Sequence, residues 1–333
     1  MNVIKNFKWM LFLLCFGIFL GACSSGTVGQ SDEIDYPNDQ ITVIQGFDAG
    51  GGSDVLAQAT QPYLQEILGV SFVNEYIPGA TGAIAWTKLA HQTKNDGYTL
   101  SITNTPMLMT NYIINEEVQY TIDDLEPLAN IVTDPGILVV SKDSPFDSYE
   151  DFAQYVAENP GKVTAGNSGV GGDDFFTQLR WMRETGLEIE MVPFEGDGPS
   201  WQAAAGNHID ASFNNLGITY SQIKAGNLKA LAIFTEERNE LLPDVPTLKE
   251  LGIDLVAGSS RGYSAPAGIP EEVREILINA FKEMSEMQEF QDHLAEIALP
   301  IDIKLGDEYM AYLKEQEKIF AEIWEEIGKD YER

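Results

Sequence analysis

Apolar positions recur along this chain with two alternating periods, one typical of β-strands and one typical of α-helices. Residues 40–47 are rich in β-branched side chains and predict a strand, whereas residues 53–69 carry apolar side chains at helical spacing. Ser53 or Asp54 is expected to cap the start of this helix, and Gly69 is expected to end it. Because strands and helices alternate with short connections, the pattern predicts an α/β fold on a parallel sheet.

The same alternation continues through the rest of the chain. Further strands are predicted within 70–79, 98–106, 136–146, 162–172 and 228–238, and the first four of these segments run into a turn or a loop. Residues 188–215 predict a strand, a loop, a helix and a strand, and residues 262–270 predict a strand and a turn. Helices are predicted at 80–92, 148–161 and 173–186, and Asp173 or Asp174 is expected to cap the last of these. One long helix is predicted after Pro270, and another from 307 to the last residue.

Two glycine-rich loops, at 46–54 and 167–172, indicate how the chain is divided. Each follows a predicted strand and precedes a predicted helix, and about 120 residues separate them. We therefore expect two lobes, with residues 40–133 and 258–333 in lobe 1 and residues 134–257 in lobe 2. A ligand cleft between the lobes would then be lined by both loops.

The first residues predict export. A basic start is followed by an apolar run from Trp9 to Leu20, which is too short to favour a permanent membrane span. Leu20-Gly21-Ala22-Cys23 resembles a bacterial lipobox, and this resemblance implies cleavage of a signal peptide at 1–22 and lipidation of Cys23. An ordinary signal peptide or a buried N-terminal helix is the alternative. The polar, acidic stretch 23–39 predicts a flexible tether.

Charge and cysteine content narrow the function. The chain has 20 Lys and Arg against 52 Asp and Glu, a net charge of -32, which argues against nucleic-acid binding and against adhesion to anionic lipid. The surplus acids are interpreted mainly as a solvated surface. Of the two cysteines, Cys15 lies in the apolar run and Cys23 in the lipobox, so no disulfide is expected after processing.

Eight segments occur in the order typical of Bug-type receptors, the extracytoplasmic substrate-binding proteins of tripartite tricarboxylate transporters. They are "GFDAGGGSD", "NEYIPGATGAIA", "KNDGYTLSITN", "SPFDSYEDFAQYVAENPGKVTAGNSGVGG", "VPFEGDGPSWQAAAGNHIDASFNN", "LKALAI", "LPDVPTLKELG" and "SAPAGIP". The resemblance implies a two-lobed, periplasmic-binding-protein-like fold of type II that closes around a small organic solute. It also implies delivery of the solute to a permease with a large and a small subunit. We expect a monomer without cofactor, anchored by lipid to the outer face of the cytoplasmic membrane or located in the periplasm.

The first glycine-rich loop is expected to bind through its backbone. Glycine allows close approach to a ligand, and the helix that follows adds a positive dipole end. Asp54 matches the family's aspartate and is interpreted as a helix cap, with direct ligand contact as the alternative. Asp48 departs from the family, which has a small or apolar residue there, and either faces solvent or contacts the ligand. The candidate residues of this loop are Phe47, Asp48, Gly50, Gly51, Gly52, Ser53 and Asp54.

The second loop departs further from the family pattern. Related receptors often carry a histidine where this chain has Phe175, and two acids precede it. Asp173 and Asp174 are interpreted as helix caps, with a place in the cleft as the alternative. The candidates of this loop are Ser168, Gly169, Gly171, Gly172, Asp173 and Asp174.

Other candidates lie where predicted strands end or helices begin, since open α/β sheets bind ligands there. They are Pro78, Gly79, Ala80, Thr81, Thr103, Asn104, Thr105, Phe194, Glu195, Gly196, Asn214 and Asn215. Arg261 is placed near the hinge, where it pairs with a cleft acid or with a ligand carboxylate; a surface or hinge salt bridge is the alternative.

The acids suggest the charge of the ligand. Asp48, Asp54, Asp173, Asp174, Glu195 and Asp197 would all lie near one cleft and would repel a carboxylate ligand. A cationic, zwitterionic or neutral solute is therefore expected. An acid paired with a metal ion is a lesser alternative, because no metal-ligand spacing is present.

Other function classes have weaker support. His91, His208 and His293 share no motif, and neither glycine-rich loop has the spacing of a nucleophile elbow, a Walker A loop or a dinucleotide site. An extracytoplasmic enzyme is therefore the least favoured class. A receptor that presents its ligand to a signalling partner remains open.

Overall fold

The computed structural model describes residues 34–328. The predicted signal peptide, Cys23 and most of the tether lie outside the described residues. Contacts divide the chain into Met1–Asp35 and Tyr36–Arg333, and the fold below is that of the second unit.

Strands and helices alternate through this unit. Its strands are β1 (Ile41–Gln45), β2 (Phe72–Tyr76), β3 (Thr99–Thr105), β4 (Leu125–Ser141), β5 (Thr164–Asn167), β6 (Glu190–Pro193), β7 (Ala211–Asn215), β8 (Leu228–Ile233), β9 (Gly258–Pro266) and β10 (Ile301–Leu305). Its α-helices are α1 (Gly52–Leu68), α2 (Ala83–Gln92), α3 (Met107–Ile114), α4 (Tyr149–Glu158), α5 (Asp173–Thr185), α6 (Asp197–Ala205), α7 (Leu216–Lys224), α8 (Glu271–Glu286), α9 (Gln288–Glu296) and α10 (Asp307–Ile323). Short 3₁₀ helices occupy Ala80–Gly82 and Ile122–Asp124, and a π-helical turn occupies Trp324–Gly328.

The sheet is mixed, with the order β2-β1-β3-β9-β4-β7-β5-β6, and β8 and β10 pair with β4. Pairing is parallel within β2-β1-β3 and within β7-β5-β6. The strands β9 and β4 between these groups pair with their neighbours antiparallel. The expected α/β fold is therefore confirmed, but the expectation of a parallel sheet holds only for the two outer groups.

Strand β4 connects the two halves of the sheet. Its first part pairs with β9 and β10, and its last part pairs with β7 and β8. Successive side chains of a strand point to opposite faces. Accordingly, Ile137 and Val139 pack in one apolar cluster, and Leu138 and Val140 pack in another. A strand that is buried on both faces has apolar side chains at successive positions, and this pattern made the last part of β4 recognisable from the sequence.

The sequence placed several element boundaries wrongly. The strand predicted at 136–146 begins at Leu125 and ends at Ser141, because its first part is buried between β9 and β10. The strand predicted to open into the second glycine-rich loop is Thr164–Asn167, in agreement with the prediction. The single long helix after Pro270 is two helices, since Met287 is extended and turns α9 back onto the core. Helices α3 and α7 and strand β10 were not predicted.

The predicted caps of α1 and α5 are also wrong. The N-cap of α1 is Gly51, two residues before Ser53, and the N-cap of α5 is Gly172, one residue before Asp173; neither helix has a side-chain cap bond. Asp54 and Asp174 therefore lie inside the first turn, where their carboxyl groups are free to bond elsewhere. The predicted end of α1 at Gly69 is correct, since Gly69 adopts the left-handed conformation and its N–H bonds Gln65 O.

Helices cover both faces of the sheet. Around β1, β3 and β9, one apolar cluster includes side chains of α1, α8 and α9, and another includes side chains of α2, α3 and α10. A third cluster packs α4 and α5 on β4, β5 and β7. A smaller cluster joins Phe175, Phe176 and Leu179 of α5 to Trp324 after α10. Helix α10 thus belongs to one apolar cluster with α2 and α3 and to another with α5.

Gly262 tests the central pairing of β9 with β4. A methyl group at this position would overlap Ala129 O and would lie 2.9 Å from the Tyr309 hydroxyl. We expect Gly262→Ala to lower the free energy of unfolding by about 1–3 kcal/mol, the usual cost of overpacking. Urea denaturation measures the change. Gly198→Ala is the control, because a methyl group there meets nothing within 4 Å, and an equal loss in both variants would contradict the prediction.

Candidate functional site

The carboxyl ends of strands β1, β3, β5, β6 and β7 each lead into a loop or directly into a helix. Gln45 is followed by the first glycine-rich loop, Asn167 by the second, and Pro193 by Phe194–Gly196. Ligands of open α/β sheets bind at this edge, where strand order changes. These three loops are therefore the first place to look for a site.

Two adjoining cavities lie among these loops and are here called the loop cavity. One has a volume of about 210 Å³ and the other about 270 Å³, and both are lined by Phe47, Asp48, Ser168 and Glu195. The N-terminal residues of α1 and of α6 line the first of them. The first four N–H groups of an α-helix have no intrahelical acceptor, so both helices present backbone donors near this space.

Asp54 holds the first glycine-rich loop in place. Its carboxylate is buried and accepts hydrogen bonds from Gly50 N–H at 2.8 Å, from Gln58 Nε2 at 2.8 Å and from the Tyr76 hydroxyl at 2.6 Å. The Gly51 N–H donates to Asp48 O at 3.3 Å. Two of the loop amides are thus used within the protein, and those of Gly52 and Ser53 remain in the free first turn of α1.

The second glycine-rich loop is fixed by its neighbours. Gly169 N–H donates to Asn167 Oδ1 at 2.9 Å, and the Thr110 hydroxyl donates to Gly171 O. Thr81, at the start of α2, donates to Val170 O at 3.3 Å. Gly169 adopts φ +113°, a conformation that side-chain-bearing residues rarely take, so glycine is required there.

The structure brings together about half of the predicted site residues. Those that line the loop cavity are Phe47, Asp48, Gly50, Gly51, Gly52, Ser53, Asn104, Ser168, Glu195 and Gly196, with Pro78, Gly79 and Thr81 in its larger part. The remaining predicted residues are not among its lining residues. They are Asp54, Ala80, Thr103, Thr105, Gly169, Gly171, Gly172, Asp173, Asp174, Phe194, Asn214 and Asn215.

Several of the remaining residues have evident internal partners. Thr103 is buried beside Ser264 and Tyr309, and Asn214 donates to Asp197 O at 3.0 Å. Phe175, which replaces the family's histidine, packs against Phe176 in the cluster with Trp324. These side chains stabilise the protein around the loops.

The sequence missed part of the wall. The additional lining residues are Gly46, Ala49, Met107, Gly198, Pro199 and Gln202. Met107 begins α3, which is an apolar segment directly after Pro106. Proline is common where helices start, so this helix could have been found from that signal. Pro199 and Gln202 belong to α6, whose existence was predicted but whose orientation was not.

The side chains that line the loop cavity are negative where they are charged. Asp48 and Glu195 are exposed, and Asp197, in the first turn of α6, is buried with one edge in the cavity wall. No Lys, Arg or His is found among the described residues that line either part of the cavity. The positive contribution comes from the N-termini of α1 and α6.

Arg261 lies directly behind the glycine-rich loop. It is 1% exposed, and its guanidinium donates to Asp134 Oδ2 at 2.8 Å and to Asn215 Oδ1 at 2.6 Å. Its Nη2 is 3.5 Å from Asp197 Oδ2. A methyl group on Gly52 would overlap this guanidinium, so the start of α1 rests on Arg261. A surface salt bridge is therefore wrong for this residue, and Arg261 instead pairs with two buried acids, of which Asp197 lines the loop cavity.

Three buried carboxyl groups, those of Asp134, Asp173 and Asp197, interact with this guanidinium, and a fourth, that of Asp174, lies beside Asp173 and Asp197. Burial raises the pKa of Asp174 well above its usual value, and the charges of Asp173 and Asp197 raise it further. Burial and the charge of Asp197 raise the pKa of Asp173 to about 6, against a hydrogen bond from Asn215. Burial lowers the pKa of Arg261, but Asp134, Asp197 and Asp173 raise it more, so the guanidinium stays charged.

A larger cavity of about 600 Å³ lies elsewhere, between α5, α10 and the start of β9. It contains Arg180, which donates to Val256 O at 3.1 Å, and Arg183, which pairs with Glu184 and Glu326. This larger cavity is lined by Asp173, but by no residue of the glycine-rich loops at 46–54 and 167–172. We assign the site to the loop cavity because the strand ends and helix N-termini converge there.

Within residues 34–328, no group of three or more His, Cys, Asp and Glu is arranged to hold a metal ion. In the same range, no helix is both long enough and apolar enough to cross a membrane.

Comparison with known proteins identifies related chains. Residues 56–329 match the model of the family described as "Tripartite tricarboxylate transporter family receptor". Protein BugT of Bordetella pertussis is 26% identical over 319 residues, which cover 95% of this chain and 97% of BugT.

Solved structures agree with this match. One described as a periplasmic transporter is 30% identical with a TM-score of 0.81, covering 86% of this chain and 96% of that one. Another, R. palustris Rpa4515 with adipate, is 26% identical with a TM-score of 0.84, covering 87% of this chain and 98% of that one.

Replacing Arg261 tests the buried charge cluster. We expect Arg261→Met to lower the free energy of unfolding by about 3–5 kcal/mol, because it leaves Asp134 and Asp197 buried without their cation. Urea denaturation at neutral pH measures the loss. Arg238→Met removes an exposed pair with Glu250 and should leave stability nearly unchanged. Similar losses in the two variants would contradict the assignment.

Proposed function

Because the chain belongs to the family of tripartite tricarboxylate transporter receptors, we propose that it is a lipid-anchored receptor that captures a small organic solute and delivers it to a membrane permease. Family membership makes it a solute-binding receptor with a periplasmic-binding-protein fold. The lipid anchor, delivery to a permease and the chemical class of the solute go beyond what family membership shows, and they are proposed here.

The loop cavity is the observation that carries the proposal. It lies at the carboxyl ends of strands from both parallel groups, β2-β1-β3 and β7-β5-β6, and the first residues of α1 and α6 line it. Its two parts, about 210 and 270 Å³, suit a small molecule. The residues proposed to contact the solute are the predicted ones that line it, together with Asp197, Met107 and Gln202.

We propose a cationic, zwitterionic or neutral solute in preference to a simple carboxylate. Asp48, Glu195 and Asp197 give the cavity three carboxyl groups, and no lining side chain among the described residues offsets them. An unpaired anion there would be repelled. A zwitterion suits the arrangement best, because its positive group could face the acids while its carboxylate faces the first turns of α1 and α6.

A dicarboxylate is the second candidate. The structure of Rpa4515 with adipate supports it, because that protein shares the fold over most of both chains. In this chain the free amides of Gly52 and Ser53 would then hold one carboxylate. Asp48 departs from the family pattern and distinguishes the two candidates.

The two-lobe arrangement remains a proposal, and the strand pairing supports it. Lobe 1 would consist of residues 40–133 and 258–333, and lobe 2 of residues 134–257. Strands β4 and β9 would connect the two lobes. The proposed boundaries fall inside β4 and directly before β9. Thr81 and Val170, which hydrogen bond to one another, would then lie on opposite lobes. Hinge closure at these strands would enclose the solute.

Location and partner are proposed from the N-terminal sequence and the family. Lipidation of Cys23 would place the receptor on the outer face of the cytoplasmic membrane, and a permease would receive the solute. A receptor that signals to another partner is the alternative, and catalysis is not proposed.

A solute screen tests the proposed ligand class. We expect 1,4-diaminobutane or glycine betaine to raise the melting temperature more than adipate or malate, because a ligand that binds only the folded state stabilises it. Asp48→Asn should weaken binding of the cation about fivefold, the scale of an exposed ion pair. Calorimetry gives the affinities.

Asp244→Asn removes an exposed acid that does not line the loop cavity and serves as the control. A shift produced by dicarboxylates alone, with Asp48→Asn unchanged or tighter, would replace the proposed class by the second candidate. Turnover of any bound solute would contradict the receptor function itself.

A further inference from the structure

A pair of carboxyl side chains lies directly behind the loop cavity. Asp174, in the first turn of α5, and Asp197, in the first turn of α6, lie side by side, close enough for one carboxyl group to donate a hydrogen bond to the other when it keeps its proton. Both are buried, with Asp174 at 1% and Asp197 at 7% exposure. Asp174 Oδ2 and Asp197 Oδ1 have no donor among the described groups. Two ionised carboxylates have no donor to offer one another, so this contact requires a proton.

The surroundings place the proton on Asp174. Arg261 of β9 is 3.5 Å from Asp197 and favours the ionised form of that side chain. Asp174 is adjacent to Asp173 and faces Asp197, so the nearest charges disfavour its ionisation. Asp134 of β4 is beyond Arg261, and the Ser168 hydroxyl beside Asp174 is neutral. Asp174 is therefore the acid and Asp197 the base of the pair.

The pair connects the protein interior to the solute. Asp197 lines the loop cavity between Gly196 and Gly198, whereas Asp174 does not reach it. Any group that binds in the cavity meets the charge of Asp197, and that charge depends on the proton held by Asp174. The acids Asp48 and Glu195 face the same space, but both are exposed to solvent.

We infer that Asp174 is a specificity-determining residue, which sets the charge of the loop cavity through a proton shared with Asp197 and so links solute binding to proton exchange. The inference rests on the proposed function as a solute receptor. A cationic group near Asp197 favours loss of the shared proton, so its binding releases a proton. An anionic group favours the protonated pair and binds with proton uptake. Release of one full proton would tighten binding tenfold for each unit rise in pH, and partial release would tighten it less.

The shared proton can be tested without a solute. In the folded protein Asp174 keeps its proton at a pH where the unfolded chain has lost it, so folding becomes less favourable as pH rises through that window. Asp174→Asn has no proton to lose. The ratio of the wild-type to the variant unfolding constant should therefore rise with pH from 4 to 8, by up to about tenfold per unit. A ratio that stays constant overturns the inference.

Infrared spectroscopy of the wild type makes the same test without relying on a variant that folds. The carbonyl band of a protonated carboxylic acid should be present at pH 7, where ordinary Asp and Glu side chains are ionised. Its absence overturns the inference. Where Asp174→Asn folds, the band should be lost or weakened, and it should persist in Asp48→Asn.

Titration calorimetry tests the link to binding. 1,4-Diaminobutane and adipate are titrated in two buffers with different heats of ionisation, so that any proton exchanged changes the measured heat. We expect proton release with the cation, uptake with the dianion, and neither in Asp174→Asn. Asp48→Asn should bind the cation more weakly with its proton release retained.

The possible failures are distinct. Binding with heats that are identical in both buffers overturns the inference and leaves the receptor function standing. If neither probe binds, the proposed ligand class fails, and the unfolding and infrared measurements still decide whether Asp174 and Asp197 share a proton.

Discussion

The buried guanidinium of Arg261 supports the arrangement of the loops around the cavity. It joins Asp134 of β4, Asn215 at the end of β7 and Asp197 of α6 through one planar group. Gly52 rests on its surface, so the first helix begins only where this side chain allows. An arginine can form such bonds because its donors lie in one rigid plane and its charge is not lost on burial. Strands and helices that are distant in the chain thereby meet at one point.

The buried cluster holds four acids and one arginine, because Asp174 lies beside the three acids that interact with Arg261. A buried carboxylate is stable only when it is paired or protonated. Asp134 and Asp197 have the guanidinium, Asp173 has a hydrogen bond from Asn215, and Asp174 has mainly Asp197. The surplus is thus relieved by a proton placed next to the cavity wall. Electrostatic repulsion within the protein and recognition of the solute then depend on the same side chains.

Glycine has two different functions at this site. At Gly169 a left-handed backbone requires it, and at Gly52 the space is occupied by Arg261. In the first loop, however, much of the expected anion-binding capacity is already used. Asp54 accepts the amide of Gly50, so the loop carries its own internal carboxylate. A glycine-rich loop before a helix therefore indicates a site, but the acceptors within the protein decide how much of it is available to a ligand.

Local patterns predicted the fold class, the family and the loops that form the cavity. The buried strands, the helix end at Gly69 and the glycine-rich loops are set by neighbouring residues, so the chain alone shows them. The sequence could not separate Asp48, which is exposed at the cavity, from Asp173 and Asp174, which are buried behind it. Nor could it pair Arg261 with Asp134, 127 residues away.

Those distinctions arise from the direction in which each helix starts. Because α1 and α5 start one to three residues before the predicted caps, those residues lie inside the first turn and their side chains bond elsewhere. The sequence by itself determined which residue types stand at the ends of the strands, because strand and helix periods are local. Only the tertiary structure decided which of them face the solute and which hold the proton, because burial and charge pairing depend on contacts between distant segments.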